Sequence, residues 1–288
     1  MADIKKICLL IPSHYSSAIG GAEYQVMFVL DALCQNNSYD IHYLCRRVAP
    51  DFVPRGYKIR KVGRSNGLNR FGLYYDAFNV YKALKEIAPH IIYQNVGCAY
   101  TGIAAMYAKK SGAKLIWHIA SDNDVVPAPE PIIMSRLTQS LDRLFLNYGI
   151  RNADIIAGQT QHQSDQLKRN FGRECNVLIP NGHPYPKNEI KKSEELTVLW
   201  IGNFKPLKQP EIFVRLAREL GKTSNASFVM MGRPAGPAKW LDRIMEQIKI
   251  DSNLQYLGQV SQDEVNRFLG EGHILVNTSR YEGFSNTF

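Results

Sequence analysis

The sequence predicts an α/β protein built as two parallel-sheet domains in succession. Three observations carry that expectation. Apolar runs of strand length alternate with amphipathic stretches at helical spacing, the pattern of a parallel sheet covered on both faces. A polar, proline-bearing stretch, "PYPKNEIKKSEE", interrupts the pattern at residues 184–195. The alternation then restarts. The expected organisation is a first domain at 1–183, a linker at 184–196 and a second, shorter domain at 197–288.

The elements follow in order. "IKKICLLIP" reads as a strand, and its short apolar run after the lysines falls below the core of a secretory signal. "GGAEYQVMFVLDALCQN" places Val26, Phe28, Val29, Leu30 and Leu33 at helical spacing. "YDIHYLC" is a strand, "YYDAFNVYKALKEIA" a helix and "HIIYQN" a strand. "TGIAAMYAKKSG" is a helix closing on Gly112, and "AKLIWHIA" a strand. A helix at 131–151, the strand "ADIIAG", a helix at 161–170 and the strand "CNVLIP" complete the first series. The second series runs through "LTVLWIGN", the helix "QPEIFVRLARELG", the strand "ASFVMMG" and a helix at 238–249. It ends with the strand "LQYLG", the helix "SQDEVNRFLGEG" and the strand "HILVNTS".

Composition narrows the class. With 45% hydrophobic and 21% charged residues in 288, the chain is globular rather than disordered or collagen-like. Cys8, Cys34, Cys45, Cys98 and Cys175 form no C-x-x-C pair, which reads as a reduced, cytoplasmic protein. No apolar stretch approaches the roughly 20 residues of a spanning helix. The net charge of +9 is concentrated in "RRVAPDFVPRGYKIRKVGRSNGLNR", residues 46–70, with eight basic residues against one acid. That segment reads either as a solvated, loop-rich surface or as a peripheral dock for an anionic membrane leaflet or other polyanion. It has few aromatics for base stacking and no nucleic-acid motif, so no nucleic-acid partner is expected.

Four junctions between strand and helix carry candidate chemistry, at the strand ends where open parallel sheets bind ligands. In "SSAIGGAE", Gly20 and Gly21 let a ligand approach the backbone ahead of a helix whose free N–H groups suit an anion, although a tight turn explains two glycines equally well. In "WIGNFKPLKQPE", Lys205 and Lys208 suit a diphosphate leaving group, or are ordinary exposed lysines. In "YLGQVSQDEV", a strand ends at Gly258 and Ser261 with Glu264 forms a capping box, leaving the backbone of Gln259 and Val260 for a base. In "RYEGFSNTF", Glu282 precedes Ser285, Asn286 and Thr287, residues suited to begin a helix.

In this order, "GGAE", "IPNG" (179–182), "IGNFKPLKQP", "YLGQVSQDEV" and "YEGFSNTF" resemble the retaining glycosyltransferases of family 4. The resemblance covers essentially the whole chain, and the last stretch is its most specific piece. It implies the GT-B fold: two Rossmann-like parallel-sheet domains facing across a cleft, here with the second domain incomplete. It implies a donor diphosphate held by Gly20, Gly21, Asn203, Lys205, Lys208, Ser285, Asn286 and Thr287. The donor sugar would meet Glu282, Gly283 and Phe284, and the base would meet Arg233, Gly258 and Val260. Lys208 and Glu282 would be the catalytic residues. It implies no metal and no cofactor, a UDP- or GDP-sugar donor, and an acceptor that is lipid-linked or a growing glycan, handled in the cytoplasm at the inner face of the membrane.

Three departures qualify the match. The arginine expected five residues before the lysine is Asn203, with Lys205 as the substitute cation. The histidine expected near the cleft has no assigned counterpart: His118 lies inside "WHIASDND", where it reads as a strand residue or a ligand, and Asp122 follows at the strand end. The second glutamate of the E-x7-E pattern would fall at 290, which reads as truncation of a longer frame. Asp122 and Asp124 also spell the Asp-x-Asp metal motif of the other, single-domain glycosyltransferase fold, an assignment the restarting pattern argues against. No pair of carboxylates supports covalent double displacement. The competing readings are a GT-B sugar-nucleotide epimerase and a catalytically silent sugar-nucleotide-binding module; without G-x-G-x-x-G, a nicotinamide oxidoreductase ranks below both.

Overall fold

The structure is a computed structural model that describes residues 4–17, 20–36, 38–63, 73–126, 135–183, 189–250 and 253–280, with 135–139 as backbone only. The chain divides into two compact units, with the break between Gly182 and His183.

Unit 1 is built on a seven-stranded parallel sheet. Its elements are β1 (Lys5–Leu10), α1 (Gly21–Gln35), β2 (Tyr39–Cys45), β3 (Lys58–Lys61), α2 (Ala77–Ile87), β4 (Ile91–Asn95), α3 (Ala99–Ser111), β5 (Lys114–His118), α4 (Ser135–Asn152), β6 (Ile155–Gly158), α5 (Gln161–Phe171) and β7 (Val177–Leu178). The spatial order is β3-β2-β1-β4-β5-β6-β7, which starts a new direction between β1 and β4. Period-two alternation assigns each strand residue to a face. Cys8, Leu10, Ile92, Leu115, Trp117 and Ile156 join the core that includes Val80, Leu84, Ile103 and Leu146 from α2, α3 and α4. Ile7, Leu9, Ile11, Ile41 and Tyr43 pack with Val26 and Leu30 of α1. The helices α3 and α4 touch backbone to backbone: a Cβ on Gly102 would stand 2.1 Å from the Phe145 carbonyl oxygen, so only glycine fits.

Unit 2 holds β8 (Thr197–Ile201), α6 (Pro210–Leu220), β9 (Ser227–Met231), α7 (Ala238–Ile250), β10 (Leu254–Tyr256), α8 (Gln262–Glu271) and β11 (Ile274–Leu275), in a four-stranded parallel sheet of order β10-β9-β8-β11. Phe204, Phe213, Val214, Phe228 and Met230 are fully buried at its core. The helix N-terminus read at Ser261 is present: Ser261 Oγ accepts from Glu264 N at 3.2 Å, and Ser261 N donates to Glu264 Oε2 at 3.0 Å.

Two sequence expectations change. The basic stretch is not all loop: Lys58–Lys61 pairs in parallel with β2 as an edge strand, where charged side chains are tolerated because one side stays in water. Its charge is also partly compensated. Arg46 is buried against Asp76 (Nε to Oδ2 2.6 Å), Lys58 meets Asp40 at 2.9 Å, and Arg60 pairs with Glu86. The strands read at 175–180 and 273–279 shrink to Val177–Leu178 and Ile274–Leu275, both at sheet edges with one neighbour each. No helix among the described residues is long and apolar enough to cross a membrane.

The loop after β1 is tied down by His14, which is fully buried. Ser16 N donates to His14 Nδ1 at 3.1 Å, which puts the ring proton on Nε2, 3.0 Å from the Tyr57 hydroxyl. Burial lowers the His14 pKa from 6.5 to about 4. The unfolded state therefore binds the proton more readily, so this contribution is complete above pH 6.5 and is lost as pH falls toward 4. Urea unfolding at pH 7 and pH 4.5 should show a loss on the order of 2 kcal/mol on acidification that His14→Gln lacks.

Candidate functional site

Each of three neighbouring strands in unit 2 runs into a glycine at its carboxyl end: Gly202 after β8, Gly232 after β9 and Gly258 after β10. Backbone hydrogen bonds lace these turns together. Gly202 N donates to Met231 O (2.9 Å), Gly232 N to Gly258 O (2.8 Å) and Phe204 N to Arg233 O (2.9 Å). The Tyr256 hydroxyl donates to Gly232 O at 2.7 Å. Gly232 has φ +143°, and a Cβ there would lie 1.9 Å from the Gly202 carbonyl oxygen. Gly232→Ala must push these strand ends apart, and a destabilisation above about 1 kcal/mol by urea unfolding is the expected result.

The lysine loop grows from this edge. Phe204 is buried, with its ring 5.1 Å from Trp200 and 5.0 Å from Tyr256. It anchors a single 3-10 turn, Pro206–Lys208, in which Lys208 N donates to Lys205 O at 2.9 Å. Gln209 then adopts a left-handed conformation (φ 46°, ψ 53°), rare for a residue with a side chain, and Pro210 opens α6. The Thr278 hydroxyl donates to Lys208 O at 2.6 Å and accepts from Trp200 Nε1 at 2.8 Å. Arg280 N donates to Leu207 O at 3.0 Å. The turn that carries Lys208 is thus held from beneath by a buried tryptophan and from the side by the segment after β11. This edge gathers Asn203, exposed Lys205, Lys208, exposed Arg233 and Gly258. Val260 lies near it, but its side chain packs against the cluster of Leu199, Val229 and Met231. Glu282, Gly283, Phe284, Ser285, Asn286 and Thr287 lie outside the described residues.

In unit 1, Gly20 is the N-cap of α1 and contributes no side-chain cap, which leaves Gly21 at the first helical position. One turn further, Gln25 clasps the backbone of Gly182: Nε2 donates to Gly182 O at 2.9 Å, and Gly182 N donates to Oε1 at 3.0 Å. Two stretches from opposite ends of the unit, "GGAE" and "IPNG", are therefore neighbours. His118 is the last residue of β5, buried, with Nδ1 2.8 Å from the Tyr93 hydroxyl. Desolvation lowers its pKa, so the ring is neutral near pH 7. Asp122 begins a 3-10 turn and accepts from Gln163 Nε2 at 3.1 Å. Asp124 accepts from Ala120 N (2.9 Å) and Ser121 N (3.1 Å), and burial raises its pKa. Asp124 of the Asp-x-Asp thus closes the strand-end turn.

Sequence reasoning passed over Trp200, Thr278, Gly232 and Arg280 as supports of the lysine loop. The recurrence of glycine after "LTVLWI", "ASFVMM" and "LQYL" was an available signal for Gly232. The other three became visible only through long-range contacts.

Residues 195–288 match the family model described as Glycosyl transferases group 1. No curated protein matches the chain by sequence. Among solved structures, the lipopolysaccharide outer core galactosyltransferase WaaB in its apo form is 18% identical with a TM-score of 0.63, over 98% of this chain and 76% of that one. HepE of Anabaena in complex with UDP and glucose is 16% identical with a TM-score of 0.67, over 98% and 76%. WaaG, a glycosyltransferase of lipopolysaccharide biosynthesis, is 13% identical with a TM-score of 0.70, over 95% and 75%. At these identities the likeness establishes fold rather than substrate. The lysine loop, the three-glycine edge and the match to the glycosyl transferases group 1 model fall on one stretch of chain, residues 195–288, within a chain that has the GT-B fold.

Proposed function

We propose that the protein is a retaining glycosyltransferase that moves a hexosyl group from a nucleotide-diphosphate sugar to an acceptor hydroxyl. The observation that carries this reading is the Gly202–Lys208 loop, which sits at the carboxyl edge of the unit 2 sheet inside the matched domain. There Lys205 and Lys208 would meet the diphosphate, and Asn203 would line the turn. Gly258, Arg233 and the Val260 backbone would border the base. Gly20 and Gly21 would offer backbone N–H groups from unit 1, and Glu282 with Gly283 and Phe284 would hold the sugar, with Ser285, Asn286 and Thr287 near the phosphates.

In the proposed reaction the bond from the anomeric carbon to the diphosphate oxygen breaks, and the acceptor oxygen bonds to that carbon on the same face. The acceptor proton passes to the departing diphosphate, and lysine charge stabilises the leaving group. No metal or cofactor is invoked. UDP-sugars are the first donors to test, because HepE carries UDP and glucose, with GDP-sugars next. A lipid-linked acceptor or growing glycan is proposed at the inner face of the membrane, with Arg47, Arg55 and Lys61, exposed in the 46–70 stretch, towards anionic lipid.

A thermal-shift screen of UDP-, GDP- and ADP-sugars, followed by NMR of the product's anomeric proton, tests the reading. A shift with one donor and a product of retained configuration supports it. Acceptor-independent conversion of the donor would mark an epimerase, and binding without transfer a silent module; either result would sink the proposal.

A further inference from the structure

Among the described residues, three other than glycine have positive φ: Ala88 at 50°, Val96 at 78° and Gln209 at 46°. Backbone of that kind is strained for any residue with a Cβ. Two of the three have a local account. Ala88 is the left-handed C-cap that closes α2, and its N–H donates to Leu84 O at 2.9 Å. Val96 follows β4, and its carbonyl accepts from the Gln94 side-chain amide at 2.7 Å. Gln209 has neither. It precedes a helix rather than closing one, and its side chain makes no cap for α6. Pro210 follows it, and a residue before proline is pushed towards extended backbone. The left-handed turn at Gln209 is therefore disfavoured twice.

Its surroundings impose that turn through main-chain atoms. Lys208 N donates to Lys205 O at 2.9 Å, the Thr278 hydroxyl donates to Lys208 O at 2.6 Å, and Ile212 N donates to Gln209 O at 3.0 Å. None of these bonds uses the Gln209 side chain, so glycine would complete the same turn with less strain. The residue is half-buried, and its amide makes no hydrogen bond among the described residues. A strained residue that persists where glycine would serve, beside the lysine of the candidate site, points to a side chain with a use outside the fold.

We propose that Gln209 is a donor-contact residue: its side-chain amide donates to a non-bridging oxygen of the diphosphate assigned to Lys208. Diphosphate oxygens accept and do not donate, and the amide nitrogen carries two N–H donors. An ionised acceptor makes such a bond stronger than one between neutral groups. The proposal deepens the donor-binding reading and rests on it for the ligand, while its stability signature is independent of any ligand.

The test uses the full chain, with UDP, GDP and ADP affinities by isothermal titration calorimetry and Tm by scanning calorimetry. Gln209→Gly keeps the turn and removes the amide. Its Tm should equal or exceed that of wild type, while affinity for the nucleoside diphosphate that binds should fall about 10-fold. Gln209→Asn keeps an amide and adopts left-handed backbone more readily, so affinity should recover to within about 3-fold of wild type. A lower Tm in Gln209→Gly would show that the side chain supports the fold, and would overturn the proposal. Unchanged affinity in Gln209→Gly, or no recovery in Gln209→Asn, would equally overturn it while the donor reading stands. Wild-type protein that binds none of the three nucleotides would sink the donor reading itself, and this assignment with it.

Discussion

Replacing Lys208 by alanine is expected to lower kcat by about 10²-fold while leaving the fold intact. The fold should survive because the turn is held by main-chain atoms. Lys208 N and O are bonded to Lys205 O and the Thr278 hydroxyl, and neither bond uses the lysine side chain. In the proposed reaction activity should fall, because a cation beside the departing diphosphate would act mainly on charge that develops as the bond breaks. Removal of one preorganised electrostatic contact of that kind costs about 3 kcal/mol of transition-state stabilisation. The loss should therefore appear in kcat and in kcat/KM, with KM for the donor changed less. Release of nucleoside diphosphate, measured across donor concentrations, checks this. Unchanged turnover in Lys208→Ala would remove the residue from the role. Thr278→Val should give a milder loss, since it frees Lys208 O and Trp200 Nε1 but keeps the charge.

Asp76→Ala is expected to destabilise unit 1 by about 3–5 kcal/mol. Asp76 and Arg46 are 1% and 7% exposed, joined at 2.6 Å, and the Tyr100 hydroxyl donates to the same carboxylate oxygen at 2.5 Å. Removing the carboxylate strands a guanidinium and a phenol in a site that water does not reach. Replacing both partners by apolar groups, as in Arg46→Met with Asp76→Leu, should cost much less, because no charge is left alone. The exposed pair Lys58–Asp40 provides the contrast: its loss should cost no more than about 1 kcal/mol. Chemical denaturation of Asp76→Ala, the double variant and Lys58→Ala separates these cases. An Asp76→Ala loss as small as that of the surface pair would show that Arg46 finds water or another partner.

How much of this was legible depended on the range of the interaction that encodes it. Elements with strong local periodicity were readable: α1, β1, β4, α6 and the capping box at Ser261 follow from neighbours three or four residues apart. β3 was not, because Lys58, Arg60 and Lys61 have little strand character of their own and gain it by pairing with β2. The same limit applies at the site. "IGNFKPLKQP" announces its lysines, but the supports of that loop come from Thr278 and Arg280, some 70 residues downstream.

From its order of residues alone the protein is a succession of two parallel α/β units, with glycines and lysines at the strand ends, because alternation and turn chemistry are local properties. Tertiary structure alone decided which charges are spent and which remain available. Arg46 looked like part of a basic surface and is sealed against Asp76, while Asn95 Oδ1 and Gln159 Oε1 end up buried with no hydrogen-bond partner among the described residues. Burial and pairing are set by what the fold brings alongside a residue, and desolvation gives each polar group its energetic weight only there.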